Sequence, residues 1–244
     1  NETKELIDIE NFGIGLHFNI TQGKPLSAKS KVSSLLNSKG EFFSFKEFRI
    51  RSKKGLIQKD HIIVELIAQY QKLESLIGDR ITHMDSHQAV HKYKPVSDAV
   101  YEFGKHGKFH GLRSPQHFFL NRELKIERPW ITNISRYGYK RVLTELYYSY
   151  YNFRFSKYYK ITDGELLNHN FKKVDTLKFI VDIETKDALK NLTLEIPCHP
   201  ATKMADLPSS KLTEKRVLEY EIMKSDTFLK SLDRFELINF KQIS

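Results

Sequence analysis

Along this chain, apolar positions switch between short runs and longer stretches at helical spacing, and the switches mark out the elements. Residues 11–20 read as a buried strand, interrupted by His17 and closed by the turn Gly23-Lys24-Pro25. From Ser27 to Lys59 the pattern is polar and irregular, with an aromatic knot at Phe42, Phe43, Phe45 and Phe48. A loop walling a cleft and a loop anchored by its own aromatic cluster both fit that stretch. Residues 60–77 place Ile63, Leu66, Ile67, Tyr70 and Leu73 at helical spacing, with Gly78 positioned as the C-cap. A strand over 81–87 follows at once, then a helix over 95–105 opened by Pro95, and a short strand over 111–115.

Residues 116–137 read as an irregular excursion containing Trp130, the single tryptophan. A tyrosine-rich helix over 138–156 is expected to use its rings for packing. Beyond it the pattern predicts a strand over 157–163, a short helix near 185–190, and a strand over 192–196 running into Cys198-His199-Pro200. A helix over 213–232 and a closing strand over 235–240 complete the chain. Strand and helix alternate throughout, which predicts an α/β protein of one domain spanning residues 1–244. In parallel α/β folds, sites assemble at the C-terminal ends of the strands, where His17, His87 and His199 are expected to lie.

The densest chemistry is Thr82-His83-Met84-Asp85-Ser86-His87, with His91 just beyond. The period of two in a strand would put His83, Asp85 and His87 on one face. Imidazole and carboxylate together suit a divalent ion, and a polar strand end with solvated histidines fits the same residues. His17, inside an apolar run, must find a polar partner, because burying it alone costs a few kcal/mol.

Three stretches together resemble the YdjC-like carbohydrate deacetylases, which include chitooligosaccharide deacetylases. They are Gly15-Leu16-His17-Phe18-Asn19 with Gly23-Lys24-Pro25-Leu26, then Thr82–His87 with His91, then Leu194-Glu195-Ile196-Pro197-Cys198-His199-Pro200-Ala201. Their order and spacing agree with the family over essentially the whole chain. The resemblance implies an irregular (β/α) barrel of the glycoside hydrolase/deacetylase type, and hydrolysis of N-acetyl groups on amino sugars or chitooligosaccharides. It further implies one divalent metal ion, Mg2+ or Zn2+, held by His17 and His87. His199 would be the acid that protonates the leaving amine, and Asp85 a carboxylate that orients a histidine or the base. Arg113 and His91 would contact the substrate. Family members often carry a histidine where this chain has Ala89. The family's third metal ligand is an aspartate in an Asp-Asp-Phe-Gly motif on the first strand, which has no match here. The expectation is therefore a barrel lacking its N-terminal strand and helix, prone to associate and nearly inactive as written. Another metal-dependent amidase or esterase, or a non-catalytic sugar-binding relative, fits the same residues.

Composition narrows the field only modestly. Of 244 residues, 40% are hydrophobic and 29% charged, as in an ordinary globular protein. The net charge of +10 invites a nucleic-acid reading, but the lysines are scattered. The densest basic run, Arg49–Lys54, sits in a segment that reads as a solvated loop. No apolar run is long enough to span a bilayer, and no basic-then-apolar leader opens the chain. The one cysteine, Cys198, excludes an internal disulfide and fits a reducing cytoplasm. The expected partner is an N-acetylated sugar rather than nucleic acid or membrane, and a homodimer is compatible with the pattern.

Overall fold

Strand β1, Ile14–Phe18, pairs in parallel with β2, Ile81–Ser86, which pairs with β3, Gly111–Leu112, which pairs with β6, Lys160–Ile161. This computed structural model describes residues 12–120, 126–127, 131, 134–168, 191–202 and 213–243. Two compact units divide the chain. The first takes residues up to Pro115, Tyr148–Ile161 and the segment from Ile238; the second takes Gln116–Tyr147 and Thr162–Leu237.

In the first unit, helices α1, Phe45–Lys53, and α2, Lys59–Ile77, lead from β1 to β2, and α3, Lys94–Gly104, leads from β2 to β3. The expected run over 60–77 is present, and Gly78 caps it at φ +66, its amide bonding to the Glu74 carbonyl. The buried stripe of α2 differs from expectation: Ile62, Leu66, Tyr70 and Ile77 are buried with Glu65, whereas Ile67 is exposed. Glu65 occupies the core side because its carboxylate is needed there by the loop after β1. Pro95 stands in the first turn of α3, where its missing N–H costs nothing.

The segment expected as an irregular loop holds α1, so Arg49–Lys53 lie on a helix. Ser44 caps it, its hydroxyl accepting the Glu47 amide; Ser44-Phe45-Lys46-Glu47 is a capping-box signature visible in the sequence. β1 is also corrected. It is an alternating strand, with Leu16 and Phe18 buried behind and His17 facing out.

Register explains two glycines. Gly15 on β1 and Gly111 on β3 both align with His83 on β2. A Cβ at Gly15 would enter the His83 ring, and one at Gly111 would enter the Phe240 ring. The two rings stack at 4.2 Å between centroids, filling the space that the glycines leave. Phe240 thus finds its partner in a ring rather than a ladder, and the expected strand over 235–240 does not form.

The second unit contains β4, His117–Leu120, antiparallel to β5, Ile126–Glu127, and parallel to β7, Gly164–Asn168, which pairs with β8, Leu194–Glu195. β4 lies where an irregular excursion was expected. β4 and β7 are short, and the sequence signals for them are weak beside the tertiary pairing that makes them strands. Helix α4 is Ile134–Tyr137, and α5, Tyr139–Phe155, matches the expected tyrosine-rich helix. Its rings divide, with Tyr151 buried in the first unit's core and Tyr150 exposed. The helix expected over 213–232 is two helices, α6, Thr213–Lys224, and α7, Asp226–Leu232. They are separated at Ser225, whose hydroxyl caps the second by accepting the Phe228 amide. Trp130 and the helix expected near 185–190 lie outside the described residues. Among the described residues no helix is long and apolar enough to cross a membrane.

Candidate functional site

The parallel pairing of β1 with β2 places His17 opposite Asp85 at the C-terminal end of both strands. Their side chains meet: His17 Nδ1 lies 2.8 Å from Asp85 Oδ1. The other carboxylate oxygen accepts a hydrogen bond from Arg113 Nη1 at 3.1 Å. Arg113 is the first residue after β3, and its own amide donates to the Met84 carbonyl, which extends the sheet and aims the guanidinium at β2. Three adjacent strand ends therefore contribute one residue each to a row, His17–Asp85–Arg113.

Burial alone would raise the Asp85 pKa. The hydrogen bond from His17 and the charges of His17, Arg113 and His83 outweigh it, so the carboxyl is held below its ordinary value. An ionised carboxylate only accepts, so the His17 nitrogen that faces Asp85, Nδ1, is the donor, and Nε2 is the ring nitrogen turned away from the carboxylate. A carboxylate behind a histidine is the usual means of fixing a ligand tautomer and raising its basicity.

His87 reaches the same place by a different route. It lies just past β2, in a tight turn where Gln88 and Ala89 adopt φ +54 and φ +52. Its ring stands edge-on to His17, with centroids 5.5 Å apart. Burial, and then the charge of His17, push the His87 pKa below the ordinary histidine value, against the opposing pull of Asp85. A neutral imidazole is the form that binds metals.

The other expected residues are placed as follows. His83 shares the face of Asp85 but is half-buried against Phe240, with Nδ1 2.8 Å from the Thr82 hydroxyl. Burial lowers its pKa to about 4. His91 has no exposed surface. Its Nδ1 lies 2.6 Å from Ser86 Oγ, its amide donates to the same oxygen, and its carbonyl accepts from Ser97. It builds the turn that carries His87. Arg113, expected at the substrate, is directed at Asp85. His199 is an exposed residue of the second unit, its amide bonded to Glu219 Oε2 at 2.6 Å.

The donor set fits a share in a borderline divalent ion: two imidazoles, one of them backed by a carboxylate. Among the described residues, no three His, Cys, Asp or Glu side chains gather as a complete ligand set. Residues that sequence reasoning passed over include Glu65 and Gln69, on the buried side of α2. Their signal was a carboxylate and an amide one helical turn apart beside an apolar stripe.

Known proteins resemble this chain in both sequence and fold. A chitooligosaccharide deacetylase of Serratia marcescens is 28% identical over 214 residues, covering 88% of this chain and 70% of the relative. One from Yersinia enterocolitica is 26% identical over 221 residues, covering 91% and 73%. A carbohydrate deacetylase of Xenopus laevis is 34% identical over 113 residues, covering 46% and 37%. A crystal structure from Enterococcus faecalis, assigned to cellobiose-phosphate cleavage, superposes with a TM-score of 0.66 at 20% identity. The match covers 96% of this chain and 78% of that one, and shows the same α/β fold of the (β/α) barrel class. The pattern of the YdjC-like protein family matches residues 2–234, and the chain belongs to that family.

Proposed function

We propose that this chain is a metal-dependent hydrolase that removes N-acetyl groups from amino sugars or chitooligosaccharides. One observation carries the reading: His17 on β1 and His87 just past the adjacent parallel β2 bring their rings to 5.5 Å, with Asp85 bonded behind His17. The names of the Serratia and Yersinia relatives support the substrate class. The two histidines would hold the ion, and imidazole donors favour Zn2+ over Mg2+. Such an ion, when bound, supplies a Lewis acid and a water of lowered pKa.

This chain's own residues do the rest. Asp85 keeps the proton on His17 Nδ1, and the His17 hydrogen bond, joined by the Arg113 guanidinium, keeps Asp85 ionised. With both oxygens engaged, Asp85 acts through His17, which makes it a positioning residue. The exposed imidazole of His199 is assigned the proton for the leaving amine. Hydrolysis breaks the amide C–N bond, water oxygen passes to acetate, and the amine gains a proton.

The test is acetate release from N-acetylglucosamine oligomers, with and without a chelator. His87→Ala should abolish metal uptake in elemental analysis and remove turnover, while His106→Ala should change neither. His199→Ala should retain metal and lose about 10²–10⁴ in rate. Turnover that survives both the chelator and His87→Ala would overturn the reading.

A further inference from the structure

The segment leaving β1 is fastened to α2 by an unusual grip. Gln69 holds Asn19 at both backbone groups: its Oε1 accepts the Asn19 amide at 3.0 Å, and its Nε2 donates to the Asn19 carbonyl at 2.7 Å. The same Nε2 donates to Glu65 Oε1 at 2.8 Å. Glu65 has no exposed surface, and its carboxylate also accepts the amides of Leu26 and Ser27, each at 3.0 Å. A buried carboxylate survives only where its oxygens are satisfied, so Glu65 ties this loop to the helix at two points.

From Asn19 the network turns toward β2. Asn19 Oδ1 accepts the Thr21 amide at 3.1 Å, and Asn19 Nδ2 donates to the Gln22 carbonyl at 2.9 Å. The Thr21 hydroxyl then donates to Gln88 Oε1 at 2.8 Å, joining the loop after β1 to the turn after β2. Gln88 and Ala89 both hold left-handed backbone without being glycine. Such backbone is strained and persists only where its surroundings hold it. The network therefore ends on the residues that follow the two histidines, Asn19 two positions after His17 and Gln88 one position after His87.

We infer that Gln69, Thr21 and Gln88, anchored by the buried Glu65, are positioning residues that set the approach of His17 to His87, with the Thr21–Gln88 hydrogen bond as the tie between the two loops. The inference rests on the reading of those histidines as metal ligands. A network that only packed the loop would respond to lost volume. A tie responds to the lost hydrogen bond, and the near-isosteric pair Thr21→Val and Thr21→Ser separates the two.

The experiment is a Co2+ titration of the full chain followed by visible absorption, together with melting of the metal-free protein. Thr21→Val should weaken Co2+ binding by about tenfold or more, with the metal-free melting temperature nearly unmoved, and Thr21→Ser should restore wild-type binding. Gln88 is exposed, so Gln88→Met breaks the same bond from the solvent side and should reproduce the loss should Thr21→Val fail to fold. Wild-type affinity in the variants that break the bond, or equal loss in Thr21→Val and Thr21→Ser, overturns the inference. If the wild-type chain takes up no Co2+, the ligand reading falls, and the tie is judged by backbone NMR couplings that report φ. Left-handed values at Gln88 and Ala89 that persist in Thr21→Val overturn it; their loss in Thr21→Val but not in Thr21→Ser bears it out.

Discussion

His17, Asp85 and Arg113 form a row in which the middle residue governs the outer ones. Asp85→Asn keeps the shape but removes the charge that selects the His17 tautomer and pairs with Arg113. Calorimetric titration with Zn2+ should show affinity falling by about 10–100-fold, with the melting temperature of the metal-free protein lowered less than by a core truncation. His83 shows the reverse case, a motif histidine serving the core. Its folded pKa of about 4 lies below the ordinary 6.5, so between those values the unfolded chain binds a proton that the folded chain refuses. Stability from this group is therefore present above pH 6.5 and lost as pH falls toward 4, by about 3 kcal/mol in all. Urea melts across that range should show a shallower acid limb in His83→Phe, which keeps a ring on Phe240 but does not titrate. An unchanged limb would mean that His83 is already charged in the folded protein.

At the scale of elements, caps and turns decide where structure stops. Ser44 is the N-cap of α1, and Ser44→Ala should cost about 1 kcal/mol in chemical denaturation. Gly78, at φ +66 and ψ −143, occupies backbone that side chains rarely adopt, and nothing lies within 4 Å of a Cβ built there. Gly78→Ala should therefore destabilise through backbone strain alone, by about 1–3 kcal/mol, with no change in metal binding. The capping box of α1 stands in the sequence at Ser44–Glu47, but the irregular polar pattern around it reads as a loop, and the helix was missed. The strands β4 and β7 were not legible there either, because strands this short owe their existence to partners distant along the chain.

For the molecule as a whole, residues far apart in sequence complete one another within the first unit. Phe240, near the C-terminal end of the chain, closes over His83 and over Gly111 of β3. Phe240→Ala should destabilise by roughly 1 kcal/mol or more and speed amide exchange in Ile14–Phe18 and Ile81–Ser86 ahead of α7. Equal exchange rates in wild type and variant would place the stack outside the stabilising core. Gly15→Ala should be worse, since its methyl has the His83 ring to displace.

The residues by themselves determined much of the alternation of strand and helix and the long α2 with its glycine cap, while the link between His17 and the Thr82–His87 stretch came from the resemblance to the family. Periodicity, capping chemistry and motif spacing are local properties, carried by the order of residues. Only the tertiary structure decided which motif residue does what. Strand register set Asp85 opposite His17 and stacked His83 between Gly15 and Gly111, while the left-handed turn at Gln88–Ala89 swung His87 to the His17 ring. Burial took His91 out of solvent, and one helix face placed Glu65 and Gln69 beneath the loop that follows His17. These outcomes depend on distances between segments separated by tens of residues, and a period of two or 3.6 along one segment carries no information about them.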